Sequence, residues 1–120
     1  MRVERELMRG AGVLAVLKLL EQHDMYGYEL AEALSSRSDG VLAMGHSTLY
    51  PMLYNLESKG HIEAVSGLSP EGRRRKYYRL TAEGRDWLAA HQSQWGRLVE
   101  AMSKFGLTDG PEHAPAGGEG

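Results

Sequence analysis

The sequence predicts a mainly α-helical fold with one small β-hairpin, a winged helix-turn-helix followed by a C-terminal dimerisation helix. Three features predict it: a short amphipathic helix with tyrosines on its outer face, a run of four cations in a predicted hairpin, and a last helix with heptad spacing. In folds of this class one helix enters a groove of DNA, while the hairpin, or wing, contacts the neighbouring phosphates.

Length and composition set the first limits. A chain of 120 residues forms one small domain, and helical domains of this size often complete their core by dimerising. The chain has no cysteine, which excludes disulfides and thiolate chemistry. It has no apolar run of the ~18–20 residues that a membrane span needs and no visible secretory signal, so we expect a cytoplasmic protein without a membrane partner.

Charge is unevenly distributed along the chain. The formal net charge is −2, but residues 59–85 hold seven cations and three anions, whereas residues 10–58 hold two cations and six anions. A local basic face is enough to bind DNA, because counterion release depends on the phosphates contacted and not on the total charge.

The first half of the chain reads as two helices. Residues 1–22 are predicted to form a helix, interrupted near Gly10–Gly12, with Leu7 among its inward apolar residues. A turn over 24–27 precedes a second helix over 28–34 and a loop over 35–45. We expect a winged-helix domain with its N-terminal helix over residues 1–81, a dimerisation helix over 82–105 and a disordered tail over 106–120.

The third helix is the most sharply defined element. Ser47 or Thr48 can cap it, Pro51 is tolerated in its first turn, and Gly60 ends it. The inward stripe has helical spacing and consists of Leu49, Met52, Leu53 and Leu56. The outward side chains include Ser47, Tyr50, Tyr54, Asn55 and Lys59.

Tyr50 and Tyr54 are four residues apart, so they lie one above the other on the outer face of this helix. A surface tyrosine is most simply half-buried under the wing or at a dimer contact. Here the hydroxyl of Ser47 and the amide of Asn55 share the same surface, and such donors suit phosphates and base edges. That context favours a DNA contact.

The predicted hairpin carries the cations. Residues 61–66 form its first strand, and in the return strand Tyr78 and Leu80 point inward while Tyr77 and Arg79 point outward. The run Arg73–Lys76 could be a solvated hairpin tip. Four adjacent cations repel one another unless an anion arrives, however, so we interpret them as phosphate contacts.

Thr81 is a good N-cap for a last helix that runs to about Phe105. Its apolar seam has a period of 3.5 residues, which a short helix needs only when it packs against a partner helix. The seam consists of Leu88, His91, Trp95, Leu98, Met102 and Phe105. Trp95 is most simply a dimer-core residue, and it could also form the wall of a pocket for a planar ligand between two subunits.

Catalytic and metal-binding patterns are absent from the sequence. The five histidines form no closely spaced pair, and there is no nucleophile elbow or Gly-rich phosphate loop. We therefore expect no enzyme activity, no catalytic residue, no metal and no cofactor.

Several motifs together resemble the PadR family of bacterial transcriptional regulators. They are Gly27-Tyr28-Glu29-Leu30, then Thr48-Leu49-Tyr50-Pro51 with Leu53, Leu56, Glu57 and Gly60, then the run from Gly72 to Thr81 with Gly84. The resemblance covers residues ~10–105 with the motifs in the same order. It implies a winged helix, a C-terminal helix that forms a two-fold dimer, and operator binding that usually represses a neighbouring gene and is often released by an effector.

The resemblance also assigns residues. Thr48, Tyr50 and Pro51 match the start of the family's recognition helix, and Arg73–Tyr77 match its wing. The single C-terminal helix is similar to the short branch of the family, in some members of which an aromatic residue at the position of Trp95 lines a ligand pore between subunits. The DNA-binding candidates are Ser47, Thr48, Tyr50, Pro51, Tyr54, Asn55, Lys59, Arg73, Arg74, Arg75, Lys76 and Tyr77.

Two functions of different class remain. The first is a sequence-specific dimeric regulator, a repressor that binds an inverted-repeat operator in double-stranded DNA and is released by a small aromatic effector. The alternative is a winged-helix module that binds another protein and no DNA. The basic hairpin and the tyrosines of the third helix favour the first, because a protein-binding surface would more often be apolar.

Overall fold

The structure, a computed structural model, describes residues 5–108. Within that range the chain forms four helices and three strands. In chain order they are α1 (Arg5–Gln22), β1 (Met25–Tyr26), α2 (Gly27–Arg37), α3 (His46–Ser58), β2 (Ile62–Leu68), β3 (Arg74–Leu80) and α4 (Ala82–Ser103). This is the predicted winged helix-turn-helix, mainly helical and with one hairpin, followed by a long C-terminal helix.

The sheet has β3 at its centre. Its strands are antiparallel in the order β1-β3-β2, and the register pairs Met25 with Tyr78 and Ile62 with Leu80. The short strand β1 was not predicted, because Met25 and Tyr26 lie in a stretch that reads as a turn. Only pairing with a strand distant in sequence makes these two residues extended.

Helix α1 is continuous, so the predicted interruption near Gly10–Gly12 was wrong. Gly12 is buried, and a Cβ there would lie 3.1 Å from the methyl carbon of Met52 and 3.3 Å from that of Met44. Glycine at residue 12 therefore allows α1 to pack closely against the two methionines, and it does not interrupt the helix. The inward position near the start of α1 is Met8, whereas Leu7 is 73% exposed, which corrects the predicted face.

The ends of the other helices are set by local hydrogen bonds. Helix α3 begins at His46 with Gly45 as its N-cap, because the Gly45 carbonyl accepts bonds from the N–H groups of Thr48 and Leu49. The predicted caps Ser47 and Thr48 thus lie inside the first turn, and that prediction was wrong. Gly60 ends the helix region with a φ of 82°, as predicted.

The end of α2 and the start of α4 are also set by side-chain hydrogen bonds. Helix α2 continues three residues past the predicted end to Arg37. The Ser38 hydroxyl then donates to the Leu34 carbonyl and accepts from the Leu42 N–H, which closes the end of the helix. At the start of α4 the Thr81 hydroxyl accepts a bond of 2.9 Å from the Gly84 N–H, which confirms the predicted N-cap.

An apolar cluster joins α1, α2, α3, the sheet and the start of α4. Its most deeply buried side chains are Val16, Leu17, Leu20, Leu30, Leu49, Leu53, Ile62, Tyr78 and Leu88. The chain divides into two compact units, one up to Leu88 and the other from Ala89 onward. The sequence predicted a boundary after residue 81, but the first two turns of α4 belong to the first unit, because Gly84 packs on the His61 backbone and Trp87 on the His61 ring.

The predicted disordered tail lies mostly outside the described residues. Of that segment, residues 106–108 are described, and they are exposed. No helix within residues 5–108 combines the length and the apolar character that a membrane span requires.

Candidate nucleic-acid interface

Helix α3 presents a polar outer face opposite its buried leucines. Leu49, Leu53 and Leu56 are at most 3% exposed and fix the orientation of the helix on the core. The predicted contact residues on the other side are exposed, namely Ser47, Thr48, Pro51, Tyr54, Asn55 and Lys59. All of them except Lys59, at the C-cap, lie within the helix itself.

Tyr50 departs from the predicted outward orientation. It is half-buried and packs against the core cluster, because its phenol reaches the start of α2 at Gly27. Its ring stacks on that of His46, with centroids 5.3 Å apart and planes 21° apart, and the Tyr54 ring follows at 6.5 Å. Three rings four residues apart therefore form a column along one side of α3.

His46 belongs to this column, although its sequence position alone did not predict it as a contact residue. It is exposed in the first turn of α3, where residues of a recognition helix contact DNA. The signal that could have found it is Gly45, a residue type favoured at N-caps. A helix that starts after Gly45 places His46 four residues before Tyr50, on the same face.

The tip of the wing is a tight loop between β2 and β3. The Ser69 carbonyl accepts the Gly72 N–H at 2.9 Å, the Ser69 hydroxyl accepts the Arg73 N–H at 3.0 Å, and Gly72 has a φ of 87°. Arg73 is the one member of the basic run that lies in this loop, and Arg74, Arg75 and Lys76 begin β3. The cations thus occupy the return strand more than the tip.

Alternation along β3 separates these cations onto two sides of the sheet. Arg74 and Lys76 share a side with the buried Tyr78 and Leu80, whereas Arg75 shares the other side with Tyr77. The prediction of Tyr78 and Leu80 as the inward pair is confirmed. Successive residues of a strand alternate between the two sides of a sheet, so the inward prediction for Tyr78 and Leu80 already implied that the four cations do not all lie on one side.

Lys76 connects the wing to α3. Its ammonium lies 5.7 Å from the centroid of the Tyr54 ring and 5.4 Å from that of the Tyr78 ring. Attraction to the Tyr78 oxygen is the main cause that raises the pKa of Lys76, and burial raises the pKa of Tyr78. At neutral pH the ammonium is therefore charged and the phenol neutral, so a positive charge lies beside Tyr54 of α3.

Arg75 and Tyr77 lie on the opposite side of the sheet from Lys76, and their assignment to the DNA contact stays a prediction. The Arg75 guanidinium lies 4.0 Å above the Tyr26 ring and 3.9 Å from a Glu71 carboxylate oxygen. The half-buried Tyr77 ring meets Tyr26 edge-on, and its hydroxyl donates to the Leu68 carbonyl. These contacts hold β1 and the wing together on the side of the sheet opposite Lys76.

Arg74 and Arg79 have partners of their own. Arg74 donates to the Ser66 hydroxyl at 3.3 Å, within the hairpin. Arg79, predicted to point outward, forms an exposed ion pair of 3.1 Å with Asp24 beside β1. Arg79 therefore ties the sheet together, and Arg74 remains on the side of Lys76.

The predicted dimer seam lies mainly in the second unit. Leu88 is 2% exposed in the core of the first unit and is therefore not available to a partner. Phe105 follows the end of α4 in a turn and is exposed. Along α4 itself, His91 and Met102 are half-buried, whereas Trp95 and Leu98 are 44% and 53% exposed.

The described residues contain no metal-binding cluster. Within residues 5–108 no three His, Asp or Glu side chains come together in a way that could hold a metal ion.

Comparison with known proteins identifies the family. Residues 16–90 match the Transcriptional regulator PadR-like family. An uncharacterised protein of Lysinibacillus sphaericus is 33% identical over 103 residues, which cover 86% of this chain and 94% of that protein.

Solved structures agree with this match. A PadR family transcriptional regulator from Eggerthella lenta is 34% identical with a TM-score of 0.72, covering 87% of this chain and 88% of that one. A Streptococcus transcriptional regulator is 32% identical with a TM-score of 0.76, covering 85% and 98%. A transcriptional regulator from Clostridium thermocellum is 29% identical with a TM-score of 0.76, covering 86% and 97%. The chain therefore belongs to the PadR-like family of transcriptional regulators.

Proposed function

We propose that this regulator binds double-stranded DNA as a two-fold homodimer, with α3 in the major groove and the wing on the adjacent phosphates. The observation that carries the proposal is the contact between Lys76 and Tyr54. It joins the basic side of β3 to the exposed face of α3 in one continuous surface. Cations beside a helix of hydroxyl and amide groups suit a duplex, in which phosphates flank the base edges.

Dimerisation through α4 is the second part of the proposal. Trp95 and Leu98 lie three residues apart on a helix, and each side chain is about half exposed in the single chain. Burying such side chains against the same residues of a second copy removes apolar surface from water at about 25 cal/mol per Å². Two α3 helices related by a two-fold axis would then read an inverted repeat.

Regulation completes the proposal. We infer that binding represses a neighbouring gene and that a small aromatic effector, lodged against Trp95 between the subunits, releases the DNA. An exposed indole on a helix that pairs with its own copy gives such an effector a flat apolar wall. Quenching of tryptophan fluorescence by planar compounds, lost in Trp95→Leu but kept in Trp87→Phe, is the expected signature.

Selection from a random duplex library, combined with light scattering, tests the DNA proposal. We expect an enriched inverted repeat with half-site centres ~10 bp, or a multiple of that, apart, which matches ~34 Å between the helices. We also expect a dimer mass that falls toward a monomer in Trp95→Ala/Leu98→Ala. The matched control is Gln94→Ala/Arg97→Ala, which changes two exposed polar positions of the same helix. No enriched repeat, together with tight binding to a protein partner, would establish the interaction module instead.

A further inference from the structure

Gly27 opens helix α2 and is buried, yet its backbone does not need a glycine. Its φ lies outside the left-handed region that other residues avoid. Glycine is therefore required here because another group occupies the place of a side chain, and not because of the backbone conformation.

The Tyr50 phenol fills that space. A Cβ at residue 27 would lie 2.8 Å from Tyr50 Cζ and 3.1 Å from Cε1, and it would come closer still to the hydroxyl oxygen. Carbon atoms that are not bonded to one another do not approach so closely, so alanine at residue 27 and the present position of Tyr50 exclude each other. The space that a side chain at residue 27 would fill is thus the seat of the Tyr50 ring.

The seated ring positions the neighbouring side chains on the first turns of α3. It lies beside Gly27 of α2 and stacks at 5.3 Å on His46, and the Tyr54 ring continues the column toward Lys76. The same ring thus touches the preceding helix and the side chains at the start of α3. Its position fixes where those side chains stand relative to the wing.

We propose that Gly27 is a positioning residue for sequence recognition: by seating the Tyr50 phenol, it holds the stacked rings of His46, Tyr50 and Tyr54 in the arrangement that reads DNA. This inference rests on the DNA-binding function proposed above. Gly27 itself touches no base or phosphate in this mechanism, and it acts through Tyr50.

The substitution Gly27→Ala should move Tyr50 rather than unfold the protein. The closest atoms belong to the far end of a side chain with two rotatable bonds, which yields more easily than the backbone of either helix. Alanine also leaves the unfolded chain fewer backbone conformations than glycine does, which offsets part of the lost packing. Discrimination between DNA sequences should therefore fall while the melting temperature changes little.

The experiment is a double-mutant cycle on the purified full-length protein. It compares wild type, Gly27→Ala, Tyr50→Phe and the double variant, with Gly10→Ala as a control because nothing lies within 4 Å of a Cβ at residue 10. Affinity is measured for the duplex that the wild type selects and for a scrambled duplex. We expect Gly27→Ala to weaken binding to the selected duplex about tenfold, the size of a lost base contact, and to leave the scrambled duplex nearly unchanged.

The effect of Gly27→Ala should be smaller in the Tyr50→Phe background, because removal of the hydroxyl removes the closest atom. An equal effect in both backgrounds overturns the proposal. So does an equal loss on both duplexes, which would indicate a purely structural role.

A readout without DNA separates this inference from the proposed function. Ring protons of His46 sense the stacked Tyr50, so their NMR shifts should move in Gly27→Ala and stay unchanged in Gly10→Ala. Unchanged His46 shifts would mean that alanine fits without moving Tyr50, which overturns the inference. A wild type that selects no duplex, with the shifts moved as expected, would instead refute DNA recognition and leave the seat intact. Should Gly27→Ala not fold, Tyr50→Ala empties the same seat without crowding it, and wild-type discrimination in that variant overturns the proposal.

Discussion

The two sides of β3 make a sharp prediction for the wing. Lys76 lies on the side of α3, 5.7 Å from the Tyr54 ring, whereas Arg75 lies behind the sheet, 4.0 Å above Tyr26. We therefore expect Lys76→Ala to lose a phosphate contact and Arg75→Ala to keep all of them. The two residues are neighbours with the same charge, so each variant is the control of the other.

The magnitude follows from counterion release. Each phosphate contact contributes about 0.9 to the slope of log K against log salt, so a two-fold dimer of Lys76→Ala should lose about 1.8. Between about 50 and 200 mM salt, a fourfold change, the advantage of wild type over Lys76→Ala should then shrink about twelvefold. Arg75→Ala should leave the slope unchanged and cost about 0.5–1 kcal/mol of folding stability, through the lost contact with the Tyr26 ring.

The assay is a fluorescence-anisotropy titration of one labelled duplex at four or more salt concentrations, with a urea melt of each variant. Equal slope losses in both variants would show that the side of the sheet does not decide which cation meets DNA. No slope loss in either would mean that β3 does not contact phosphates, and the wing would have another role.

Three further substitutions test separate parts of the structure. Asn55→Ala should relax preference at one base pair per half-site by about 1–3 kcal/mol in competition binding, and a uniform loss on all duplexes would contradict a base contact. Gly84→Ala should lower the free energy of unfolding by about 1–3 kcal/mol, because a Cβ there would lie 2.9 Å from the His61 carbonyl carbon and the backbone would have to move. Gly96→Ala, with nothing within 4 Å, is its control in a urea melt, and equal midpoints would refute the packing argument. His61→Phe should raise stability by about 1 kcal/mol, because among residues 5–108 the buried Nδ1 has no hydrogen-bond partner and phenylalanine keeps the ring beside Trp87. A less stable His61→Phe would indicate that the imidazole nitrogen has a role in the fold.

The sequence by itself determined the elements whose causes are local. The leucine stripe of α3 and the glycine after it depend on residues within one helix, and the predicted fold class followed from them together with the basic hairpin. Thr81 bonds to Gly84 three residues away, so its capping role was visible in the sequence. Hydrophobic periodicity, turn residues and capping residues act over a few positions of the chain. The sequence alone is therefore enough to predict the elements that depend on them.

Only the tertiary structure decided how distant segments share space. The sequence predicted that Tyr50 points outward, but its ring lies inward, in the space left by the missing side chain of Gly27. It marked Leu88 as a dimer residue, but the core of the first unit covers that side chain. It grouped Arg75 with Lys76, but pairing with β1 brings Tyr26 under Arg75 and leaves Lys76 beside α3. In each case the deciding contact joins segments far apart in the chain, and neither local spacing nor residue type contains that information.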